Sequence, residues 1–334
     1  MSRFRLPFVA VASALLSLVA LPASASDDAR FGEQWSLQRI GAPAAWGSTT
    51  GAGVRIGIVD TGIDLAHEDL ASKVVAHTSC IGSAGDPARC TGSGQDEQGH
   101  GTHVAGIAAA AKDNKLGVAG VAPDSQLVVA KVLGANGGGT IEDINAGIRW
   151  VVDNGARVVN LSLGDPNFLL TSVQGTALTA GIEYAWAHGA IPVVASGNEN
   201  PLGLDVLGSS DYGSMNALVV GATGPSDQVA PYSSPLGNAK WALMAPGGIG
   251  GGTPDRDVLS TIWKSGLLNQ YAALAGTSMA APHVTGAVAL LLAQGYDQQA
   301  VVDRLLGTAD RNVSCGLNSP TCAGRLDVAR ATAR

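Results

Sequence analysis

The sequence predicts an α/β fold: a three-layer, doubly wound, mostly parallel sheet with helices on both faces. Two observations carry that prediction. Five apolar, β-branched runs recur along the chain, and helical patterns lie between several of them. Continuous apolar runs of this length suit strands buried on both faces. Strands alternating with helices imply a parallel sheet.

The strand runs are residues 54–59, 127–133, 158–163, 191–195 and 218–220. Between the second and third, residues 140–154 place Ile141, Ile144, Ile148 and Val151 on one helical face. Thr140 with Asp143 resembles a capping box, and Gly155 can end that helix. A later helix ends near His188 and Gly189. Gly155 and Gly189 are each followed by Ala and then by a strand run. In such folds ligands meet the carboxyl ends of the strands, so the search for chemistry begins there.

The chain has 334 residues, 46% of them hydrophobic and 14% charged, a balance that excludes a disordered or collagen-like chain. No linker or second core is evident, so residues 26–334 read as one catalytic domain. Residues 1–25 read as a signal peptide. Arg3 and Arg5 start it, an apolar stretch runs from Leu6 to Leu21, Pro22 breaks it, and Ala23-Ser24-Ala25 offers small residues for cleavage. A membrane anchor is the alternative, but the stretch is short for a bilayer and is interrupted by Pro7, Ser13 and Ser17. A secreted, extracellular or periplasmic location is expected. Removing the leader takes two Arg and no acid, moving the formal charge from −7 to −9. An acidic surface argues against nucleic acid and anionic membranes as partners.

Four cysteines, Cys80, Cys90, Cys315 and Cys322, allow three pairings. In an exported chain the local closures Cys80–Cys90 and Cys315–Cys322 are the simplest. Zinc is the other reading, but neither pair has the two-residue spacing of a zinc knuckle.

Three segments carry candidate chemistry. Residues 58–64 end the first strand run with Asp60. Residues 99–106, Gly-His-Gly-Thr-His-Val-Ala-Gly, open a helix of small residues with His100. Residues 275–284, Ala-Gly-Thr-Ser-Met-Ala-Ala-Pro-His-Val, open another with Ser278. Pro282 is tolerable on the expectation that it falls among first-turn N–H groups, which have no helical partner. Each residue alone has an ordinary structural explanation as a cap or packing residue. Together they supply a nucleophile, a base and a carboxylate that orients the base, in the chain order Asp, His, Ser.

On these three segments the sequence resembles the subtilisin-like serine proteases, or subtilases, from about Asp28 onward, and most closely the thermitase-like secreted type. The resemblance implies a serine endopeptidase acting on proteins or peptides, and a monomer is expected. Residues 193–199, Val-Val-Ala-Ser-Gly-Asn-Glu, resemble the segment that supplies the oxyanion-hole Asn, here Asn198. The strand that would lie beside a bound peptide corresponds to Ser162, Leu163 and Gly164, and the opposing edge to Gly137, Gly138 and Gly139, so that a peptide could add as a strand. The chain departs from the family pattern at Asp165-Pro166, and again at Ser209, Ser210 and Asp211 around the side-chain pocket. Structural Ca²⁺ is the implied cofactor. Its implied ligands are the Asp28 and Asp69 carboxylates, the Asn114 side chain, and the Ala111, Leu116 and Val118 carbonyls, an all-oxygen set that suits Ca²⁺. Subtilases are usually made with an inhibitory propeptide. Only 34 residues separate Ser26 from Asp60, so no separate pro-domain is expected.

Two rival readings weigh less. An α/β-hydrolase esterase needs Gly two places after its Ser, where Ala280 stands. A non-catalytic module on the same fold would lack a catalytic group, and none is missing. His67, His77 and His188 are expected at the surface, His103 and His283 in helix packing. The glycine run 247–252 lacks the Lys-Ser/Thr ending of a phosphate loop and is expected as a solvent loop.

Overall fold

A computed structural model of the chain describes residues 26–163, 174–198 and 213–333, with the backbone alone for 174–177. The expected leader lies outside the described residues. Helices α1 (Trp35–Arg39) and α2 (Ala42–Ala45) lead into β1 (Arg55–Asp60) and β2 (Val74–Ser79). Helix α3 (His100–Ala109), β3 (Gln126–Lys131), α4 (Ile141–Asp153), β4 (Val158–Leu161), α5 (Gln174–Ala187), β5 (Ile191–Ala195), β6 (Leu218–Thr223) and β7 (Trp241–Pro246) follow. A hairpin of β8 (Val258–Lys264) and β9 (Leu267–Leu274) precedes α6 (Thr277–Ala293). The described chain closes with α7 (Gln298–Thr308), β10 (Cys322–Arg325) and α8 (Val328–Thr332).

Eight strands form one sheet in the order β10-β7-β6-β5-β4-β1-β3-β2, and its pairings are all parallel. The five predicted runs are β1, β3, β4, β5 and β6. Their side chains divide by a period of two, as strand geometry requires. Ile56, Ile58, Leu127, Val129, Ile191 and Val193 join one core with α3 and α6. Val59, Val128, Ala130, Val159 and Val194 join a second with α4 and α5. Both faces of the sheet are therefore covered, the three-layer, doubly wound arrangement. The strand order reverses around β1, which has β3 on one side and β4 on the other. This is where an open α/β sheet offers a crevice at its carboxyl end.

Helix α4 begins as its cap predicts: the Thr140 hydroxyl accepts the Asp143 N–H at 3.1 Å. The reciprocal half of the box does not form, because the Asp143 carboxylate turns to another loop. Among the described residues no helix is long and apolar enough to cross a membrane.

Candidate active site

Asp60 is the last residue of β1 and is fully buried. Its Oδ1 accepts the Thr61 N–H at 2.7 Å and the His100 Nδ1–H at 2.8 Å. His100 opens α3, whose first turn lies close against the end of β1. A Cβ on Gly101 would stand 2.1 Å from the Gly62 carbonyl oxygen and 3.1 Å from Asp60 Cβ, so only glycine permits this approach. The Gly101 N–H donates to Thr61 Oγ1 at 2.9 Å.

Buried Asp96 caps the same helix, a role sequence reasoning missed. It accepts the N–H groups of Gln98, Gly99 and Thr102 and the Thr102 hydroxyl. Burial alone would raise its pKa, but these hydrogen bonds outweigh burial and leave it below the ordinary value. The spacing Asp-x-x-x-His was the available signal.

Ser278 lies in the first turn of α6, a helix apolar around its circumference and buried along most of its length. Pro282 stands beyond the first turn, contrary to the expectation above. Its missing N–H is the one that would have bonded the Ser278 carbonyl. The Ser162 hydroxyl takes that place, donating to the Ser278 carbonyl at 2.9 Å. Ser162 is held in turn by the buried Asn160 side chain at 2.8 Å, and Asn160 by the Thr285 hydroxyl at 2.9 Å. The Ser278 hydroxyl points to the Ser162 carbonyl at 3.4 Å.

Asn198 follows β5. Its Oδ1 accepts the Thr277 N–H and the Thr277 hydroxyl, both at 2.9 Å, which turns its Nδ2 toward the cleft. A Cβ on Gly276 would lie 3.4 Å from Asn198 Nδ2 and 3.6 Å from the Ser278 nitrogen. The two donors thus flank one small region of space.

His100, Ser162, Leu163, Asn198 and Ser278 line one cleft of about 200 Å³, with Leu133, Ile144 and Leu274 supplying apolar surface. A buried carboxylate on an imidazole, a hydroxyl at a helix start and two N–H donors converging beside it have the makings of acyl transfer.

Known proteins resemble the chain over most of its length. The model described as "Subtilase family" matches residues 51–322. The chain belongs to the subtilase family. Its class is that of a serine-type endopeptidase, a hydrolase. It is 36% identical to thermitase of Thermoactinomyces vulgaris over 278 residues, covering 83% of this chain and 88% of that one. It is also 36% identical to a thermophilic serine proteinase of Bacillus sp. (strain AK1) over 281 residues, 84% of this chain but only 62% of that longer protein. A solved structure of a protease from Pseudoalteromonas arctica PAMC 21717 superposes with a TM-score of 0.77 at 29% identity, covering 92% of this chain and 99% of that one.

The remaining site residues of this subtilase fall as follows. Gly137 lines the cleft. Gly138 instead closes a turn: its carbonyl accepts the Gly134 N–H at 2.7 Å and its N–H donates to Asn136 at 2.9 Å. The 137–139 segment leads out of a turn at 135–136 and is not a regular strand. Gly164, Asp165, Pro166 and the pocket positions Ser209, Ser210 and Asp211 lie outside the described residues. Both local disulfides are formed, Cys80–Cys90 and Cys315–Cys322.

The residues implied for calcium come together. Asp28 and Asp69 are both buried and both face the loop 111–118. Asp28 accepts the Asp113 and Asn114 N–H groups at 3.2 and 3.0 Å. Asp69 accepts the Asn114 side-chain amide at 2.8 Å and the Val118 N–H at 3.0 Å. The Leu116 carbonyl accepts the Ala29 N–H at 3.2 Å, and the Ala111 N–H donates to the Asp69 carbonyl at 3.0 Å. Asp113 and Lys115 both adopt positive φ, at 60° and 66°, which is uncommon for residues other than glycine. Two buried carboxylates, an amide and turn carbonyls form an oxygen donor set that fits Ca²⁺. Among the described residues no group of three or more His, Cys, Asp or Glu is arranged for a metal.

Three histidines are buried. His67 is a correction, since it is fully buried and not at the surface. Its Nε2 donates to the Gln270 carbonyl and its Nδ1 accepts the Asp69 N–H. His103 and His283 pack as expected, and burial pushes them down to about 3 and about 4, so both are neutral.

Proposed function

We propose that the chain is an exported endopeptidase that hydrolyses peptide bonds in proteins through Ser278, His100 and Asp60. One observation carries the reading: the Asp60–His100 hydrogen bond of 2.8 Å faces the same cleft as Ser278 and Asn198. In the reaction the Ser278 hydroxyl turns from the Ser162 carbonyl toward His100 Nε2. Its oxygen attacks the scissile carbonyl carbon as its proton passes to Nε2. Asp60 keeps the proton of His100 on Nδ1 and stabilises the imidazolium. Negative charge gathers on the former carbonyl oxygen, where Asn198 Nδ2 and the Ser278 N–H donate. His100 then returns the proton to the leaving amine, the C–N bond breaks, and an acyl group remains on Ser278 Oγ. Water, deprotonated by His100, attacks that ester. The acid is released and the Ser278 hydroxyl is restored.

Apolar Leu133, Ile144, Leu163 and Leu274 along the cleft favour peptides with apolar side chains near the cut. Ca²⁺ bound by Asp28, Asp69, Asn114 and the carbonyls of Ala111, Leu116 and Val118 would tie the segment at Asp28 to the loop 111–118. The family and the donor set support that site. Residues 1–25 act as the export signal. The test is hydrolysis of casein by the purified chain. An active wild type with Ser278→Ala reduced to background supports the assignment; a Ser278→Ala variant as active as wild type overturns it.

A further inference from the structure

The glycine run at 247–252 is neither a phosphate cradle nor an unattached solvent loop. It is wrapped around a carboxylate of its own chain. Asp257, 1% exposed, accepts three of its N–H groups: Ile249 at 3.2 Å and Gly250 at 2.7 Å on Oδ1, and Gly252 at 2.6 Å on Oδ2. Successive N–H groups converging on one anion form a nest, and here the anion is built in. The glycines are needed for the wrap. Gly248, Gly250 and Gly252 have φ of +83°, +89° and +73°. A Cβ on Gly248 would also stand 2.9 Å from Asp257 Cα.

The near end of this loop touches the reaction centre. The Gly247 carbonyl accepts the Gly276 N–H at 2.9 Å. The Tyr232 hydroxyl lies 2.8 Å from both the Gly247 and Gly248 carbonyl oxygens, and the Gly247 N–H is tied to Thr223 at 2.8 Å. A Cβ on Gly247 would come within 2.7 Å of the Gly276 carbonyl oxygen. Gly276 is the residue around which Asn198 Nδ2 and the Ser278 N–H converge. The backbone from Asp257 to Gly276 is therefore linked without a gap.

We propose that Asp257 is a positioning residue for the oxyanion site. Its carboxylate fixes the curl of residues 248–252. The curl holds the Gly247 carbonyl on the Gly276 N–H. Gly276 sets the spacing of the two donors that receive the oxyanion. The inference rests on the roles proposed above for Asn198 and Ser278. It goes beyond them in assigning a function to a buried acid that touches neither substrate nor reacting atoms.

A double-mutant cycle on the full chain tests it. Asp257→Asn, Asn198→Ala and the pair are compared by kcat and KM per titrated active site on a chromogenic peptide. Affinity for a peptide boronate, a tetrahedral mimic, is measured alongside. Asp257→Asn is expected to lower kcat about 10- to 100-fold, less than outright loss of a donor. KM should change less than twofold, and boronate affinity should weaken with kcat/KM. In the Asn198→Ala background the same change should cost less than threefold, because the two act on one site. A merely structural Asp257 would lower the yield of titratable sites and leave kcat per site alone. Gly250→Ala is the milder companion: its Cβ meets open space, but φ of +89° opposes any side chain. It should reproduce the loss in kcat per site on a smaller scale. Unchanged kcat per site in both variants, or losses that simply multiply with Asn198→Ala, overturn the inference. An inactive wild type, or no effect of Asn198→Ala, would instead refute the reading beneath it.

Discussion

Asp60 and His100 reach the cleft from the end of β1 and the first turn of α3, and side chains fasten that wall from behind. The Ser260 and Thr261 hydroxyls donate to the carbonyls of His103 and Thr102 at 2.8 and 2.7 Å, and His103 Nε2 donates to Ala272 at 3.0 Å. Asn198 and Ser278 reach it from the end of β5 and the first turn of α6; buried side chains hold those elements too, but the turn at Gly276 between the two donors is fastened by backbone. Gly276 is held by Gly247, and Gly247 belongs to a loop that curls around Asp257. Both walls stand on regular elements locked by buried polar side chains, and the second depends in addition on a glycine loop outside those elements. The first wall should suffer most from loss of a side chain. The second should suffer from strain in its loop as well as from loss of a side chain.

The sharpest way to break this contrast is to remove one group from each wall. Asp60→Asn keeps the shape of the first wall but removes the carboxylate that orients His100. kcat is expected to fall roughly 10⁴-fold, as in other serine triads. Asn198→Ala removes one donor from the second wall and should cost about 10²- to 10³-fold. Both are read as kcat per titrated site at a pH where wild type is fully active. Equal losses, or a larger one for Asn198→Ala, would show that the walls do not divide the work this way.

The same contrast explains what was legible in the sequence. Asp60, His100 and Ser278 are marked by strand-end and helix-start patterns, and β1, β3, β4, β5 and β6 by continuous apolar runs. These signals are local. Strand β2 escaped because it is an edge strand with alternating burial, and β7 because Ala and Met replace β-branched residues in Trp241–Pro246. The burial of His67 depends on β9, about 200 residues away. Pro282 was assigned to the wrong turn of its helix because the carbonyl it orphans is rescued by Ser162, 116 residues earlier. The Asp257 nest was invisible because a glycine run looks the same whether its N–H groups face solvent or a buried acid. Sequence patterns report what an element does to itself, and long-range hydrogen bonds leave no local period.

Calcium offers a smaller and more selective perturbation. The Tyr271 hydroxyl lies 2.8 Å from Glu68 Oε1 and 2.9 Å from Asp69 Oδ2, and Tyr271 sits on β9, which is stitched to α3. The loop 111–118 is thereby joined directly to the His100 wall, while its connection to the Gly247 loop is longer, running through Gln34, which pairs with Ala119, and Trp35, whose Nε1 donates to the Asp257 carbonyl at 3.0 Å. A ligand that binds only the folded state stabilises it by mass action. Excess EDTA is therefore expected to lower Tm by about 5–10 °C, and to speed hydrogen exchange in α3 and the β8–β9 hairpin before residues 247–252. An unchanged Tm would remove calcium from the account, and loosening that begins at residues 247–252 would put it on the wrong wall.

The smallest effect should come from an acid that serves neither wall directly. Buried Asp143, at the start of α4, accepts the Gly82 and Ala84 N–H groups and the Ser83 hydroxyl at 2.9, 3.1 and 2.9 Å. Burial alone would raise its pKa, but these bonds with that of Thr140 outweigh burial and hold it below the ordinary value. Like Asp257 it gathers a loop, here the one closed by Cys80–Cys90. The element it steadies is different: α4 carries Ile144 into the cleft and follows the turn at Gly137. That part of the cleft meets the peptide away from the reacting carbonyl. Asp143→Asn should therefore raise KM for extended peptides about threefold to tenfold, worth roughly 1 kcal/mol, and leave kcat within twofold. Peptides too short to reach the turn should show no change. A loss confined to kcat, or one independent of peptide length, would mean that Asp143 supports the catalytic walls after all.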